Sequence, residues 1–250
     1  MSEQRKSIRL NKLLASVGVA SRRSIDQWIE QGRITVDGKL AALGAFVTAD
    51  QEIRLDGQSL DVVNHDHKIL EVIKYNKPVN VICSRQDERG RETVFDHLPT
   101  PRSGRWISIG RLDFKTTGLL IFTNDGELAH KMMHPSTQIE REYHVKIQGD
   151  CELSVLKALK EGVYLEDGWA CVESINILEQ TQSEHTWLSV ILKEGRNREV
   201  RRLFEAVGKS VVKLSRVRYG SISLPETLGP GRVEYLTAKE KDLLMKEVGL

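Results

Sequence analysis

Gly110-Arg111-Leu112-Asp113, followed by Thr116-Thr117-Gly118-Leu119-Leu120-Ile121-Phe122-Thr123-Asn124-Asp125-Gly126, sets one carboxylate in a short polar turn between two apolar runs. Ile107 to Ile109 before it and Leu119 to Phe122 after it are short, apolar and bounded by turn residues. That is the pattern of strands buried in a sheet. A carboxylate at a sheet margin is held rigidly and still reaches a ligand. Asp also closes ordinary turns by bonding its own backbone, so taken alone Asp113 fits a structural role at least as well as a chemical one. The residues on either side have to decide.

A chain of 250 residues has room for one large domain, or for a small domain and a medium one. With 40% hydrophobic and 29% charged residues it has the composition of a soluble globular protein, which excludes fibrous and disordered classes. No apolar run approaches the roughly 20 residues that a membrane helix needs. Met1-Ser2-Glu3-Gln4-Arg5-Lys6 leads into no apolar stretch, so no secretory signal is expected and the cytoplasm is the predicted location. Cys83, Cys151 and Cys171 are scattered, which argues against disulfides and structural zinc. They are expected as reduced thiols, with Cys83 and Cys171 in strand-like apolar surroundings. His130, His134 and His144 lack the spacing of metal ligands. Neither a metal nor a cofactor is expected.

The net charge of +2 hides an uneven distribution. From Met1 to Thr35 seven Lys or Arg stand against three acids, a balance of +4; from Lys193 to Arg218 nine stand against three, a balance of +6. Two basic blocks on a nearly neutral chain suggest local contact with a polyanion, although one such block alone also describes a solvated helix face.

The first block is helical. Leu10, Leu13, Leu14 and Val17 recur at helical spacing and Gly18 ends the run. Ser21 is placed to cap a second helix carrying Ile25, Trp28 and Ile29, which Gly32 terminates. Ile34-Thr35-Val36-Asp37-Gly38-Lys39 reads as a strand and turn, and Gln51 to Gly57 alternates like an edge strand. Arg9, Lys12, Arg22, Arg23 and Arg33 fall off the apolar stripe and can share an exposed face suited to a structured RNA. Arg9-Leu10-Asn11-Lys12-Leu13-Leu14-Ala15, Gly18 to Arg23 and Ile29 to Gly38 resemble, along nearly its whole length, the small S4-like RNA-binding domain. That resemblance implies RNA and names no reaction.

Asn64-His65-Asp66-His67-Lys68 is a polar break. The predicted organisation is a first domain at 1–63, a linker at 64–68 and a second domain at 69–250. Strand-like segments follow at Ile69 to Tyr75, Val79 to Cys83, Leu119 to Phe122, Tyr143 to Ile147, Ala170 to Ile177 and Trp187 to Leu192. Helical patterns lie at Glu127 to Met133, Cys151 to Glu161 and Glu199 to Val207, and Thr237 with Glu240 signals a last capped helix. Strands outnumber helices without strict alternation. The predicted class is α+β, with a central mixed, largely antiparallel sheet and flanking helices.

Two further stretches can carry chemistry. Glu194-Gly195-Arg196-Asn197-Arg198-Glu199-Val200-Arg201-Arg202-Leu203-Phe204 reads as a turn and an amphipathic helix. Val200, Leu203, Phe204 and Val207 face inward and Arg198, Arg201 and Arg202 point elsewhere. In Glu140-Arg141-Glu142-Tyr143-His144-Val145, Tyr143 opens an alternating strand as a core aromatic or as a ring that stacks on a nucleobase. Spacing does not choose between the two.

In order, Gly110-Arg111-Leu112-Asp113, Arg141-Glu142-Tyr143 and Gly195 to Leu203 resemble the three core motifs of RNA pseudouridine synthases. Behind an S4-like domain, and with Thr123 to Ala129, Met133-His134-Pro135 and Arg216-Val217-Arg218-Tyr219-Gly220, the chain is similar to the branch that acts on large-subunit ribosomal RNA. Phe114-Lys115 and Phe204 depart mildly from the pattern. The resemblance implies that Asp113 is the catalytic carboxylate, that Arg201 pairs with it, and that Tyr143 stacks on uracil and is a candidate base at carbon 5. Leu203 is then expected as an apolar pocket wall, and Arg111 as a phosphate grip or a support of the turn. Arg196, Arg198 and Arg202 join the N-terminal cations as RNA contacts. A buried carboxylate stays ionised only beside a cation, and an ionised carboxylate can attack or stabilise an oxocarbenium-like ribose. The expected partner is ribosomal RNA, through a hairpin loop or assembly intermediate whose target base leaves its stack, and the expected state is a monomer. Three alternatives remain: a non-catalytic RNA-binding assembly factor, the same isomerisation on small-subunit RNA, and glycosidic hydrolysis by a carboxylate pair. The last has only Asp125 to offer as a second acid.

Overall fold

A computed structural model describes residues 7–48, 50–62, 69–85, 87–181 and 184–250. The predicted linker at 64–68, with His65 and His67, lies outside the described residues. The chain forms two compact units. The first joins Met1–Glu71 with Thr100–Ile107 and Thr123–Gly126, and the second takes Val72–Pro99, Ser108–Phe122 and Glu127–Leu250.

In the first unit β1 (Ile8–Arg9) runs into α1 (Leu10–Ser16), and α2 spans Arg22–Glu30. The Ser21 hydroxyl accepts a hydrogen bond from the Ser24 amide at 3.0 Å, a cap that contributes about 1 kcal/mol. Leu10, Leu13 and Leu14 meet Ile25 and Ile29 in a core closed by Ile34, Val47, Ile53 and Val62. Four short strands follow: β2 (Ile34–Val36), β3 (Lys39–Leu40), β4 (Phe46–Val47) and β5 (Ile53–Leu55), then β6 (Gln58–Ser59). The sheet order is β3-β2-β5-β6, and β1 pairs with β4. The segment read as an edge strand is therefore an inner one. Its alternation marks one buried face, with Ile53 in the core, and both of its backbone rims are paired.

The downstream piece Thr100–Ile107 is fastened within this unit. The Arg102 amide donates to Glu71 Oε2 at 2.7 Å, and Asn124 Nδ2 donates to the Ser103 carbonyl at 3.2 Å. The Glu71 amide in turn donates to Asn124 Oδ1 at 3.0 Å.

The second unit is built on a sheet of nine strands among the described residues. In chain order these begin with β7 (Val72–Lys77), β8 (Ile107–Ile109) and β9 (Thr117–Thr123), after which comes α3 (Gly126–Met133). Next are β10 (Arg141–Gln148), α4 (Leu153–Glu161), and a separate hairpin of β11 (Val163–Leu165) and β12 (Gly168–Ala170). The chain continues through β13 (Ser174–Thr181), β14 (His185–Leu192), α5 (Glu199–Ala206), β15 (Val211–Tyr219) and β16 (Ile222–Ser223). It closes with β17 (Val233–Tyr235) and α6 (Ala238–Glu247), the latter held by the predicted capping box of Thr237 and Glu240. The order is β13-β14-β10-β15-β9-β7-β17, with β8 on β9 and β16 on β15. β13, β14, β10 and β15 pair antiparallel, whereas β15 and β9 pair parallel. This is the mixed, largely antiparallel sheet of an α+β fold.

Three readings change. Val79 to Cys83 is not a strand: Pro78 and Asn80, the latter at φ 65°, turn the chain, and only Ile82 bridges to Thr93. Ala170 to Ile177 is divided between β12 and β13, and Cys171 between them is exposed rather than in an apolar strand. The longest strand, β15, sits at the centre of the sheet, where Lys213, Arg216 and Arg218 break its apolar alternation and make it read as part of a basic block.

Candidate active site

The parallel pairing of β9 with β15 places the chemistry. Gly118 is opposite Arg216, and Arg216 is opposite Tyr143 on β10, so three strands bring one rung of residues together. Directly opposed residues share a sheet face, and Tyr143 and Arg216 both line a cleft of about 1100 Å³. Gly118 has φ 98°, and a Cβ there would stand 2.2 Å from the Arg216 carbonyl oxygen. No other residue type fits this approach. Asp113 lies in the turn just before β9 and also lines the cleft, together with Arg111 and Leu112.

A buried cation fastens that turn. Lys77, at the end of β7, is fully buried, and its ammonium donates to the carbonyls of Pro78 at 3.0 Å, Asp113 at 3.2 Å and Thr116 at 3.0 Å. Burial holds its pKa below the ordinary lysine value, with the charges of Cys83 and Asp113 pulling back upward. Lys77 is hidden in the sequence, because a lysine inside an apolar strand carries no signal of where its ammonium ends.

Arg201 donates to the Val211 carbonyl at 2.9 Å and to the Lys115 carbonyl at 3.4 Å. Its expected partner, the Asp113 carboxylate, is engaged through charge rather than by a hydrogen bond. Among the described residues that carboxylate makes no side-chain hydrogen bond or ion pair within 4 Å. Burial, then the like charge of Arg198, draws the Arg201 pKa down, and Asp113 and Glu205 draw it up.

Arg216 is a second cation whose place in the cleft its motif alone does not reveal. It is 2% exposed; its Nε donates to the Leu119 carbonyl at 2.9 Å, and its Nη2 is buried without a partner. Its guanidinium lies 4.9 Å from the Tyr219 ring, and Arg141 lies 4.8 Å from the same ring. Arg141 also donates to the Tyr219 hydroxyl at 3.0 Å, and that hydroxyl donates to the Met132 carbonyl at 2.8 Å. Arg141 and Arg216 thus put positive charge in the cleft lining, which also carries the carboxylates of Asp113, Glu194 and Glu199. Cys83 also lines the cleft, with its thiol pushed up by burial.

Other predicted residues are placed differently. Leu203 is fully buried in the inward stripe of α5 and is not among the cleft's apolar lining, which includes Leu112, Leu192, Val200 and Leu214. The stripe and the cleft share a helix, and spacing alone does not tell them apart. Arg202 holds Asp167 through two hydrogen bonds of 2.8 Å, which ties α5 to the hairpin of β11 and β12. Arg196 donates to Glu194 at 2.6 Å and to the Trp169 carbonyl at 2.9 Å. Arg198, at φ 50° before α5, lines the cleft and sits 3.7 Å from Glu205. In the first unit Arg9, Lys12, Arg22 and Arg23 are exposed as expected. Arg33 is committed to Asp56, at 2.9 Å from Nε, and lies 5.2 Å over the Trp28 ring. Asp125 is not among the residues that line the cleft.

Residues 71–206 match the family described as RNA pseudouridylate synthase, and residues 8–53 match the S4 domain. Ribosomal large subunit pseudouridine synthase B of Pseudomonas aeruginosa is 44% identical over 242 residues, 97% of this chain and 63% of that protein's length. The Yersinia pestis protein of that name is 47% identical over 244 residues, 97% of this chain and 76% of its own. The Escherichia coli K12 protein is 47% identical over 246 residues, 98% and 84% respectively. A crystal structure of a pseudouridylate synthase superposes with a TM-score of 0.65 at 28% identity, over 95% of this chain and 100% of that one. The GRLD turn, the tyrosine strand and the arginine helix all lie within the matched residues, and this chain belongs to the RNA pseudouridylate synthase family, with an S4 domain in front.

Proposed function

We propose that this protein converts one uridine of large-subunit ribosomal RNA to pseudouridine. The observation that carries the reading is the placement of Asp113, on a turn fastened by Lys77, in a cleft that Tyr143 and the buried Arg216 also line. The names and high identity of the relatives support the large-subunit substrate. We take 1–63 as the RNA-binding domain, 64–68 as the linker and 69–250 as the catalytic domain, acting as a cytoplasmic monomer on an unstacked base such as a hairpin loop offers. No helix among the described residues is long and apolar enough to cross a membrane.

The reaction breaks the bond from N1 of uracil to C1′ of ribose and forms a bond from C5 to C1′. The proton on C5 departs and N1 gains one, so atoms balance without a co-reactant. Asp113 supplies negative charge at C1′ as the glycosidic bond opens. Lys77 and Arg201 place positive charge near it. Tyr143 stacks on the detached uracil while it turns, and its hydroxyl is the base for the C5 proton. Arg111 grips phosphate at the cleft mouth, and Arg198 contacts RNA beside it.

The test is tritium release from carbon-5-labelled uridine in ribosomal RNA. Asp113→Asn is expected to abolish release while RNA binding survives, and continued turnover by that variant would remove Asp113 from the chemistry. Free uracil as product would instead identify a hydrolase.

A further inference from the structure

The cations of the first unit divide sharply. Arg33 is committed to Asp56, Arg54 to Glu52 at 2.8 Å, and Arg9 lies 5.7 Å over the Phe46 ring. Arg22, Arg23, Arg102 and Arg105 make no side-chain hydrogen bond or ion pair among the described residues. Arg22 and Arg105 also stand close enough to act on one another. Burial, then the like charge of Arg22, draws the Arg105 pKa below its ordinary value. Arg105 Nε is shielded from solvent without a partner, beside the buried Trp106.

This proximity is built into the backbone. Gly18, at φ 90°, would place a Cβ 3.0 Å from three backbone atoms of Gly104, itself at φ 69°. The turn leading into α2 therefore lies directly on the loop that carries Arg102 and Arg105, and α2 begins at Arg22. The loop is pinned to Glu71 and Asn124, so its arginines do not retreat from the encounter by moving the backbone. A partly buried cation with an unmet donor and a cationic neighbour is unfavourable in the free protein. An anion between the two guanidiniums reverses that balance, because each fork offers paired donors to phosphate oxygens.

We propose that Arg22 and Arg105, flanked by Arg23 and Arg102, form one preorganised site for the backbone phosphates of structured RNA, built jointly by the S4 domain and the Thr100–Ile107 loop. The inference rests on reading the chain as an RNA-modifying enzyme and specifies how the RNA is held. The loop belongs in sequence to the stretch that matches the synthase family, yet it packs with the N-terminal unit. RNA bound here is held by residues from both matched segments of the chain.

The test uses the full chain and transcribed large-subunit ribosomal RNA, with binding measured across a salt series for Arg22→Gln, Arg105→Gln, the double variant, and Lys39→Gln as an exposed control on β3. Each arginine variant is expected to bind about fivefold to tenfold more weakly at ~0.1 M salt, with the salt slope reduced by about one, and by about two in the double variant. Lys39→Gln is expected to match the parent. Arg105→Gln is expected to melt no lower than the parent, since it relieves repulsion with Arg22. A parent-like slope for Arg105→Gln overturns the joint site, as does a lower melting temperature with unchanged RNA affinity. Unchanged RNA binding with loss of a polyglutamate ligand would place an acidic protein there and also overturn it. A parent protein that binds RNA with these slopes but forms no pseudouridine would refute the proposed reaction and leave this site standing.

Discussion

The Lys77 ammonium donates to the carbonyl of Asp113 at 3.2 Å, so a buried cation 36 residues upstream fixes the turn that presents this carboxylate to the cleft. The same ammonium holds the Thr116 carbonyl, three residues on, and thereby clamps both ends of the turn. Lys77→Met keeps the volume and leaves three carbonyls without this donor. Stability is expected to fall by about 1–3 kcal/mol, the cost of unmet buried acceptors. Pseudouridine formation at saturating RNA should fall by at least about tenfold even at temperatures where the variant is fully folded, because the carboxylate loses its fixed position. Equal loss in both readouts, with full activity in the folded fraction, would reduce Lys77 to a stability element.

The same residue predicts a pH dependence. Burial holds the folded-state pKa of Lys77 below its unfolded value of 10.5. Between those two values the unfolded chain binds more protons, so this group makes native stability rise with pH. Denaturant midpoints measured in steps through the alkaline range should therefore show the parent gaining on Lys77→Met as pH rises toward 10.5. A gap that is constant with pH would mean that Lys77 titrates as an ordinary lysine.

Gly118→Ala tests the close approach of β9 to β15. A methyl group 2.2 Å from the Arg216 carbonyl oxygen cannot be absorbed by a side-chain rotation, because the obstacle is backbone. Destabilisation by more than about 3 kcal/mol is expected, in the range that marks steric conflict in a core. Thermal unfolding of purified variant and parent measures it. A melting temperature within a few degrees of the parent would show that the parallel pairing of these strands gives way easily.

How much of this was legible beforehand follows from the kind of signal each element carries. The helix starts at Ser21 and Thr237 were readable because caps are local: a hydroxyl bonds an amide three residues on. Asp113 and Tyr143 stand in short motifs visible in the sequence, and both line the cleft. β15 was not, since a strand that carries Arg216 into a cleft sacrifices the alternation by which strands are recognised. Lys77 and the encounter of Arg22 with Arg105 were hidden for a different reason. Each depends on where a distant segment packs, and no spacing within a window encodes it. The predicted RNA contacts were named by charge alone, which does not tell a cation committed to a carboxylate from one awaiting a phosphate.

That distinction gives a prediction for α5. Arg202 spends its guanidinium on Asp167 through two hydrogen bonds, and the pair joins the helix to the hairpin of β11 and β12. Arg202→Gln should leave the salt slope of RNA binding unchanged, and Asp167→Asn should do the same, whereas Arg198→Gln should lower the slope by about one. A slope reduced in Arg202→Gln but not in Asp167→Asn would return Arg202 to the RNA surface.

Arg216 gives the sharpest separation of chemistry from stability. Its Nη2 is buried in the cleft wall without a partner, and such a group costs about 1–3 kcal/mol in the free protein. Arg216→Met removes that cost together with the Nε bond to Leu119, so the two changes oppose and the melting temperature should stay within a few degrees. The charge is different. Acting through space on the negative charge that develops on the detached uracil, it supplies stabilisation that acts only during reaction. Turnover should then fall by about 10²- to 10³-fold, the usual effect of deleting one preorganised donor, while affinity for RNA stays near the parent's. Single-turnover pseudouridine formation beside equilibrium binding resolves the two. A variant that melts early and turns over normally once folded would assign Arg216 to the core and leave Asp113 with Lys77 and Arg201 as its nearby cations.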